Sequence, residues 1–289
     1  MDILMKNVAL ITGASSGIGF DVALRLLEKG YTVYAAARRT ELMEEIVQKG
    51  GYSIYLDLND DNSIKSCVNE VLQKEGRIDL LINNAGYGLG GSLEDIPLEK
   101  AKQQFEVNVF GMFRIIQLVL PSMRNQKSGK IINVSSMAAR FSTPFTGWYH
   151  ASKYSVEALS DALRMEVKKF GIKVVIVEPG LIKTNWGVIH SDNIQKYSGS
   201  TAYAEYAKDV SDYFRNSYTK SKFITKPETI SKLIAKIAFK KNPRPRYIKG
   251  KNAHTYIFAK SVLPTVIYDK FLTLRFLLER CHSKKVKKN

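Results

Sequence analysis

The chain is poor in the residues that staple small proteins or hold metals. Its 289 residues include two cysteines, Cys67 and Cys281. They stand far apart and form neither a C-x-x-C pair nor a Cys/His set, which argues for a reducing compartment and against a structural metal. The four histidines, His150, His190, His254 and His282, share no ligand spacing, so zinc chemistry is not expected. Long apolar runs are also missing: nothing approaches the roughly 18–20 uninterrupted apolar residues of a membrane span. The first apolar run, 8–12, leads straight into a glycine turn, and so reads as a buried strand and not as a secretory signal. A soluble, cytoplasmic protein is the expectation.

What is present suits a folded enzyme-sized domain. At 45% hydrophobic and 25% charged, the chain can bury a full core, and its length fits one large α/β domain. The net charge of +17 is unevenly spread. From Lys240 to Asn289, fourteen Lys/Arg stand against two acids, so the preceding body is only mildly cationic. That asymmetry argues against a nucleic-acid binder.

Short β-branched or aliphatic runs at 8–12, 33–37, 52–56, 80–83, 130–134 and 174–178 read as buried strands, with a seventh at 246–248. Helical patterns lie between them at 17–29, 41–49, 62–75, 98–124 and 149–170. Such alternation implies a doubly wound α/β fold, a mostly parallel seven-stranded sheet with helices on both faces. Residues 1–250 form this domain. It includes a polar-aromatic segment, 185–223, expected to be a helical lid at the carboxyl ends of the strands. Residues 251–289 form a basic amphipathic extension, split at Pro264 and ending in a solvated, frayed 284–288. Its apolar stripe suits packing on the body or on a second subunit, or lying in the plane of an anionic bilayer; packing is the commoner fate of such stripes.

Strand one runs into Thr12-Gly13-Ala14-Ser15-Ser16-Gly17-Ile18-Gly19 and then a helix. Gly13 permits the tight turn, Gly17 a close approach to pyrophosphate, and Gly19 close packing of helix on sheet; the helix N-terminus offers N–H groups to phosphate. Strand two ends before Arg38 and Arg39, where an NAD-specific site wants a carboxylate. Arg38, in preference to Arg39, matches a 2′-phosphate, so NADP(H) is favoured over NAD(H). Asp57, after strand three, is placed to accept from the adenine amino group.

Tyr149 and Lys153 are four residues apart, on one face of a helix. An ammonium beside a phenol favours the phenolate, which suits proton exchange with an alcohol near neutral pH. Phe141, Phe145, Trp148 and Trp186 suggest an apolar, bulky substrate pocket.

Gly13-x-x-x-Gly17-x-Gly19, Asn83-Asn84-Ala85-Gly86, Asn108, Ser136, Tyr149-x-x-x-Lys153 and Pro179-Gly180 followed by Thr184 occur in the order seen in short-chain dehydrogenases/reductases. Over residues 6–250 the chain resembles the compact, single-domain branch of that family, and more loosely its hydroxysteroid- and retinol-dehydrogenase-like members. The resemblance implies a Rossmann fold with Ser136, Tyr149, Lys153 and Asn108 as catalytic residues. Tyr149 would be the general acid/base, Ser136 the donor to the substrate oxygen, and Asn108 the anchor of a proton-relay water. Ser15, Ser16, Ile18, Asn84, Ala85, Gly86, Pro179 and Gly180 would line the cofactor, with Thr184 on its carboxamide. Ser136, Phe141, Tyr149 and Trp186 would meet a lipophilic alcohol or ketone. A homodimer or homotetramer, paired through helices at 104–120 and 156–167, is implied too. The alternative to an oxidoreductase is a non-catalytic NADP(H) sensor or scaffold, for which an intact phenol–ammonium pair has no chemical use.

Overall fold

The computed structural model describes residues 6–221 and 224–286. Strands β1 (Val8–Thr12), β2 (Thr32–Ala37), β3 (Tyr52–Tyr55), β4 (Leu80–Asn83), β5 (Gly129–Val134), β6 (Ile172–Pro179) and β7 (Arg246–Lys249) form one sheet. Its order is β3-β2-β1-β4-β5-β6-β7, and every pairing is parallel. The chain winds from β1 to β3 in one direction, then returns to place β4 on the other side of β1. That reversal opens a crevice at the carboxyl ends of β1 and β4.

The β1, β4 and β5 strands are buried on both faces, which explains their unbroken apolar runs. One layer, α1 (Gly17–Glu28), α2 (Glu44–Gln48) and, later in the chain, α9 (Pro227–Phe239), covers one face. The other face is covered by α3 (Asp61–Glu75), α5 (Met112–Asn125) and α6 (Gly147–Val167). Asp60 caps α3 by accepting from Asn62 N at 2.9 Å, worth about 1 kcal/mol, and Gly76 ends it in the left-handed conformation.

Two predicted helices are subdivided. The 41–49 pattern begins as a 3₁₀ turn, Thr40–Met43, before α2. The long 98–124 pattern consists of α4 (Leu98–Phe105), a π-helical turn at Glu106–Gly111, and α5. This run, Leu98–Asn125, is long and apolar enough by length and composition to cross a membrane. It is a core helix: Ile115, Ile116 and Val119 are buried on the sheet, and Arg114 pairs with Asp61 at 2.6 Å.

Beyond β6 come α7 (Trp186–Ser198) and α8 (Ala204–Thr219), and after β7 come α10 (Ala253–Val262) and α11 (Thr265–Val286). Lys222 and Phe223, at the end of the predicted lid, lie outside the described residues, as do Lys287 and Lys288. The α11 helix continues through Lys284 and Lys285, where the sequence suggested fraying; lysine is a good helix former. The break at Pro264 is where α10 gives way to α11. The tail packs on its own body: Tyr268, Leu272 and Phe276 are buried against the α7–α8 pair, with Phe276 edge-on to Tyr213 at 5.0 Å.

Candidate active site

A cavity of about 980 Å³ opens at the carboxyl ends of the strands, running from the β1–α1 turn to the α7–α8 pair and the tail. At its polar end the backbone geometry is demanding. Gly13 has φ +67°, and a Cβ there would lie 2.8 Å from Ala85 Cα. A Cβ on Gly19 would lie 2.5 Å from Asn84 Nδ2 and 2.6 Å from Gly13 O. Asn84 closes the turn by donating to Thr12 O and Gly13 O, and Thr12 Oγ1 accepts from Asn84 N and Ala85 N. The first-turn N–H groups of α1 have no side-chain cap at Ser16 and face the cavity. Neutral side chains would leave such a cradle without purpose, whereas a phosphate fits it.

Arg38 and Arg39 both line this end. Arg39 Nη2 donates to Ser15 Oγ at 3.4 Å, so the arginine given less weight from sequence also reaches the turn. Asp57 lines the wall, and its Oδ1 accepts from Asn59 N and Nδ2. Ser15, Gly17, Ile18, Ala85, Gly86, Pro179, Gly180 and Thr184 also lie on the wall, while Gly19 sits behind it. Thr184 Oγ1 accepts from Trp186 N at 3.3 Å, fastening the start of α7.

The other end holds the titratable set. Tyr149 and Lys153 lie on successive turns of α6, and both are buried. Lys153 Nζ donates to Val134 O at 3.0 Å and lies 5.9 Å from the Tyr149 ring centroid. Ser136, at the carboxyl end of β5, shares the cavity wall with the phenol, and its Oγ accepts from Ala138 N. Burial pushes the phenol up to about 12, with Ser136 opposing the shift, so the phenolate is disfavoured by about 3 kcal/mol. Burial pulls the Lys153 ammonium down to about 8, with the Glu157 carboxylate one turn along α6 opposing it. In the protein alone burial sets the direction of the phenol's shift, while Lys153 donates to a backbone carbonyl instead of to the phenol.

Asn108 lies in the π turn and is fully buried behind the wall. Its Oδ1 accepts from Tyr87 N, and its Nδ2 donates to Tyr87 O and Ser152 Oγ. Ser152 Oγ donates to Tyr149 O at 2.8 Å. Asn108 therefore ties the loop after β4 to the helix carrying Tyr149, and a π turn is a common way to aim such a group. A buried ladder supports the floor: Asn83 Nδ2 donates to Asn133 Oδ1, and Asn133 Nδ2 to Ser160 Oγ on α6.

Aromatic rings close the cavity. Trp186 is 5.2 Å from the Tyr149 ring and stacks on His190 at 4.6 Å. Phe141 lines the wall and stacks on Tyr256 of α10 at 5.2 Å. The other two expected aromatics turn away: Phe145 packs against Tyr203 and Tyr206, and Trp148 against Phe105 and the Leu89–Ile96 cluster. Trp148 adjoins Tyr149 on α6, and only every third or fourth residue of a helix faces one way; Phe145 lies in the turn before the helix. Two wall residues of the tail, Tyr256 and Phe276, were not foreseen from sequence. Their amphipathic spacing was visible, but the surface they cover was not.

His150 donates from Nδ1 to Ala138 O at 2.6 Å and accepts at Nε2 from Thr143 N, the pattern of a neutral imidazole. Burial lowers it to about 4 and His190 to about 3.

A family model described as short chain dehydrogenase matches residues 7–193. The chain belongs to the short-chain dehydrogenase/reductase family. It is therefore an oxidoreductase by family, and the family binds NAD(P)(H). This short-chain dehydrogenase/reductase is 37% identical over 265 residues to a 3-ketodihydrosphingosine reductase of Bacteroides thetaiotaomicron, covering 89% of this chain and 93% of that one. It is 32% identical over 279 residues to an NADPH-dependent 3-dehydrocapnine reductase of Ornithobacterium rhinotracheale, covering 91% and 94%. The structure of a short-chain dehydrogenase from Streptomyces avermitilis aligns with a TM-score of 0.76 at 28% identity, covering 98% of this chain and 99% of that one.

Proposed function

We propose that this protein is an NADP(H)-dependent reductase of a ketone carried on a lipophilic molecule. The observation that carries the reading is a buried Tyr149 phenol, with Ser136 and Lys153 beside it on the cavity wall, at the junction of an arginine-flanked phosphate cradle and an aromatic cavity. The cofactor supplies hydride when bound. Every other step belongs to side chains of the chain.

Gly13, Ser15, Ser16, Gly17 and Ile18 hold the diphosphate, Arg38 with Arg39 the 2′-phosphate, and Asp57 the adenine. Asn84, Ala85, Gly86, Pro179, Gly180 and Thr184 orient the remainder, with Lys153 on the ribose. Ser136 donates to the ketone oxygen and fixes it beside Tyr149. The Tyr149 proton passes to that oxygen as the alcohol forms. Across the neutral range the Tyr149 phenol carries the proton that ketone reduction consumes. Asn108 acts as a positioning residue for Tyr149 and Lys153.

Helices α7 and α8 serve as a lid, with Trp186 and Phe141 against the substrate and α10 and α11 as its outer wall. The name of one relative supports a ketone on a sphingosine-type molecule, and the name of the other supports NADPH. Exposed Phe110, Leu159 and Met165 on the π turn and α6 support pairing of two copies through those helices.

The test is NADPH oxidation, followed by absorbance, across ketones of increasing chain length, with NADH as the control. Turnover that rises with chain length and prefers NADPH is expected. Tight NADPH binding without turnover on any carbonyl would overturn the reading.

A further inference from the structure

The two faces of the C-terminal helix pair are chemically different. On α11, Tyr268, Leu272 and Phe276 recur every fourth residue and are buried against the body, and Phe276 and Tyr256 reach the cavity wall. Val266, Lys270 and Leu274 recur with the same spacing on the outward side: Val266 is 66% exposed and Leu274 58%, and Lys270 is exposed between them. Ile267 adds to this side, and on α10 Phe258 and Val262, one turn apart, are 67% and 55% exposed. Isolated exposed apolar residues are ordinary, but a row of five along two consecutive helices is not.

We infer that this outward face docks onto an anionic lipid bilayer, with α10 and α11 standing between the membrane and the substrate cavity. Charge decides among occupants. Across α10 and α11, residues 253–286, six Lys/Arg oppose two acids, a balance of +4. Joining two copies through this face would bring like charges together, whereas an anionic surface attracts each of them. Lys270, between two exposed aliphatic side chains, has the arrangement in which a lysine stem lies along the acyl boundary and its ammonium reaches the headgroups. The membrane-facing and cavity-facing residues belong to the same helices, so a lipophilic ketone would have only this helix pair to pass. The entry route rests on the function proposed above; the docking surface itself does not.

The experiment is co-sedimentation of the full-length protein with vesicles of phosphatidylcholine alone, or with about a third phosphatidylglycerol. Binding to the anionic vesicles is expected, weakening as salt is raised. The exposed-face variant Phe258→Ser/Val266→Ser/Leu274→Ser should bind them at least about tenfold more weakly. Its circular dichroism and its NADPH turnover on a short, water-soluble ketone should be unchanged. Failure of the parent protein to sediment with anionic vesicles, or equal sedimentation of the variant, would overturn the inference. So would a parent dimer that the variant converts to monomer, because that assigns the face to a second copy. Vesicle binding by a protein inactive on every ketone would sink the proposed function and leave the surface standing.

Discussion

The two ends of the cavity are built by opposite strategies. The cradle end is made of backbone: Gly13, Gly19 and the start of α1 fix N–H groups in place, and Asn84 holds the turn to the next strand. The aromatic end is made of side chains brought from distant parts of the chain, with Phe141 stacked on Tyr256 and Trp186 lying against Tyr149. Backbone geometry tolerates few substitutions, whereas a wall of packed rings can be exchanged ring by ring. The first end therefore suits a constant partner and the second a variable one.

The sharpest way to break this comparison is at the junction. Tyr149→Phe should lower turnover by about 10²- to 10⁴-fold while leaving NADPH affinity, read by fluorescence titration, within about twofold. A comparable loss of NADPH affinity would mean that the two ends are not separable. Next in size, Arg38→Asp should move the NADPH/NADH preference by about tenfold or more toward NADH, without changing which ketones are accepted. An unchanged ratio would shift the 2′-phosphate to Arg39. Trp186→Ala should alter KM for bulky ketones by about tenfold and leave NADPH affinity alone. A change in cofactor affinity would show the ring to be part of the cradle.

The smallest effect is a pH effect on stability. His150 and His190 are held near 4 and 3, against an ordinary value of 6.5. Below about 6.5 the unfolded chain takes up protons that the folded one refuses, so stability falls as pH drops from about 6.5 toward 4. Thermal melts over that window should show the decline. The variant His190→Phe should show a shallower slope, and a parallel slope would remove His190 from the account.

These contrasts also explain what could be read in advance. The glycine turn, Tyr149 with Lys153, and the strand–helix alternation are local patterns, and each reappears in the sheet and the cavity wall where expected. The π turn around Asn108 was hidden because the residues of Leu98–Asn125 are helical throughout, and what distinguishes the turn is i→i+5 backbone hydrogen bonding, which leaves no mark in residue periodicity. The burial of Tyr149 could not be read in advance, because Trp186, whose ring lies 5.2 Å from the phenol ring, arrives from another element. Tyr256 and Phe276 were legible as an apolar stripe but not as cavity wall, since periodicity states which face is covered and not by what.

The packing of Trp186 carries one more consequence. A Cβ placed on Gly88 would lie 2.7 Å from the indole nitrogen of Trp186. Any side chain at 88 thus requires the indole at 186 to move or to give way to a smaller ring, so the size of the tryptophan and the absence of a side chain at 88 are one joint choice.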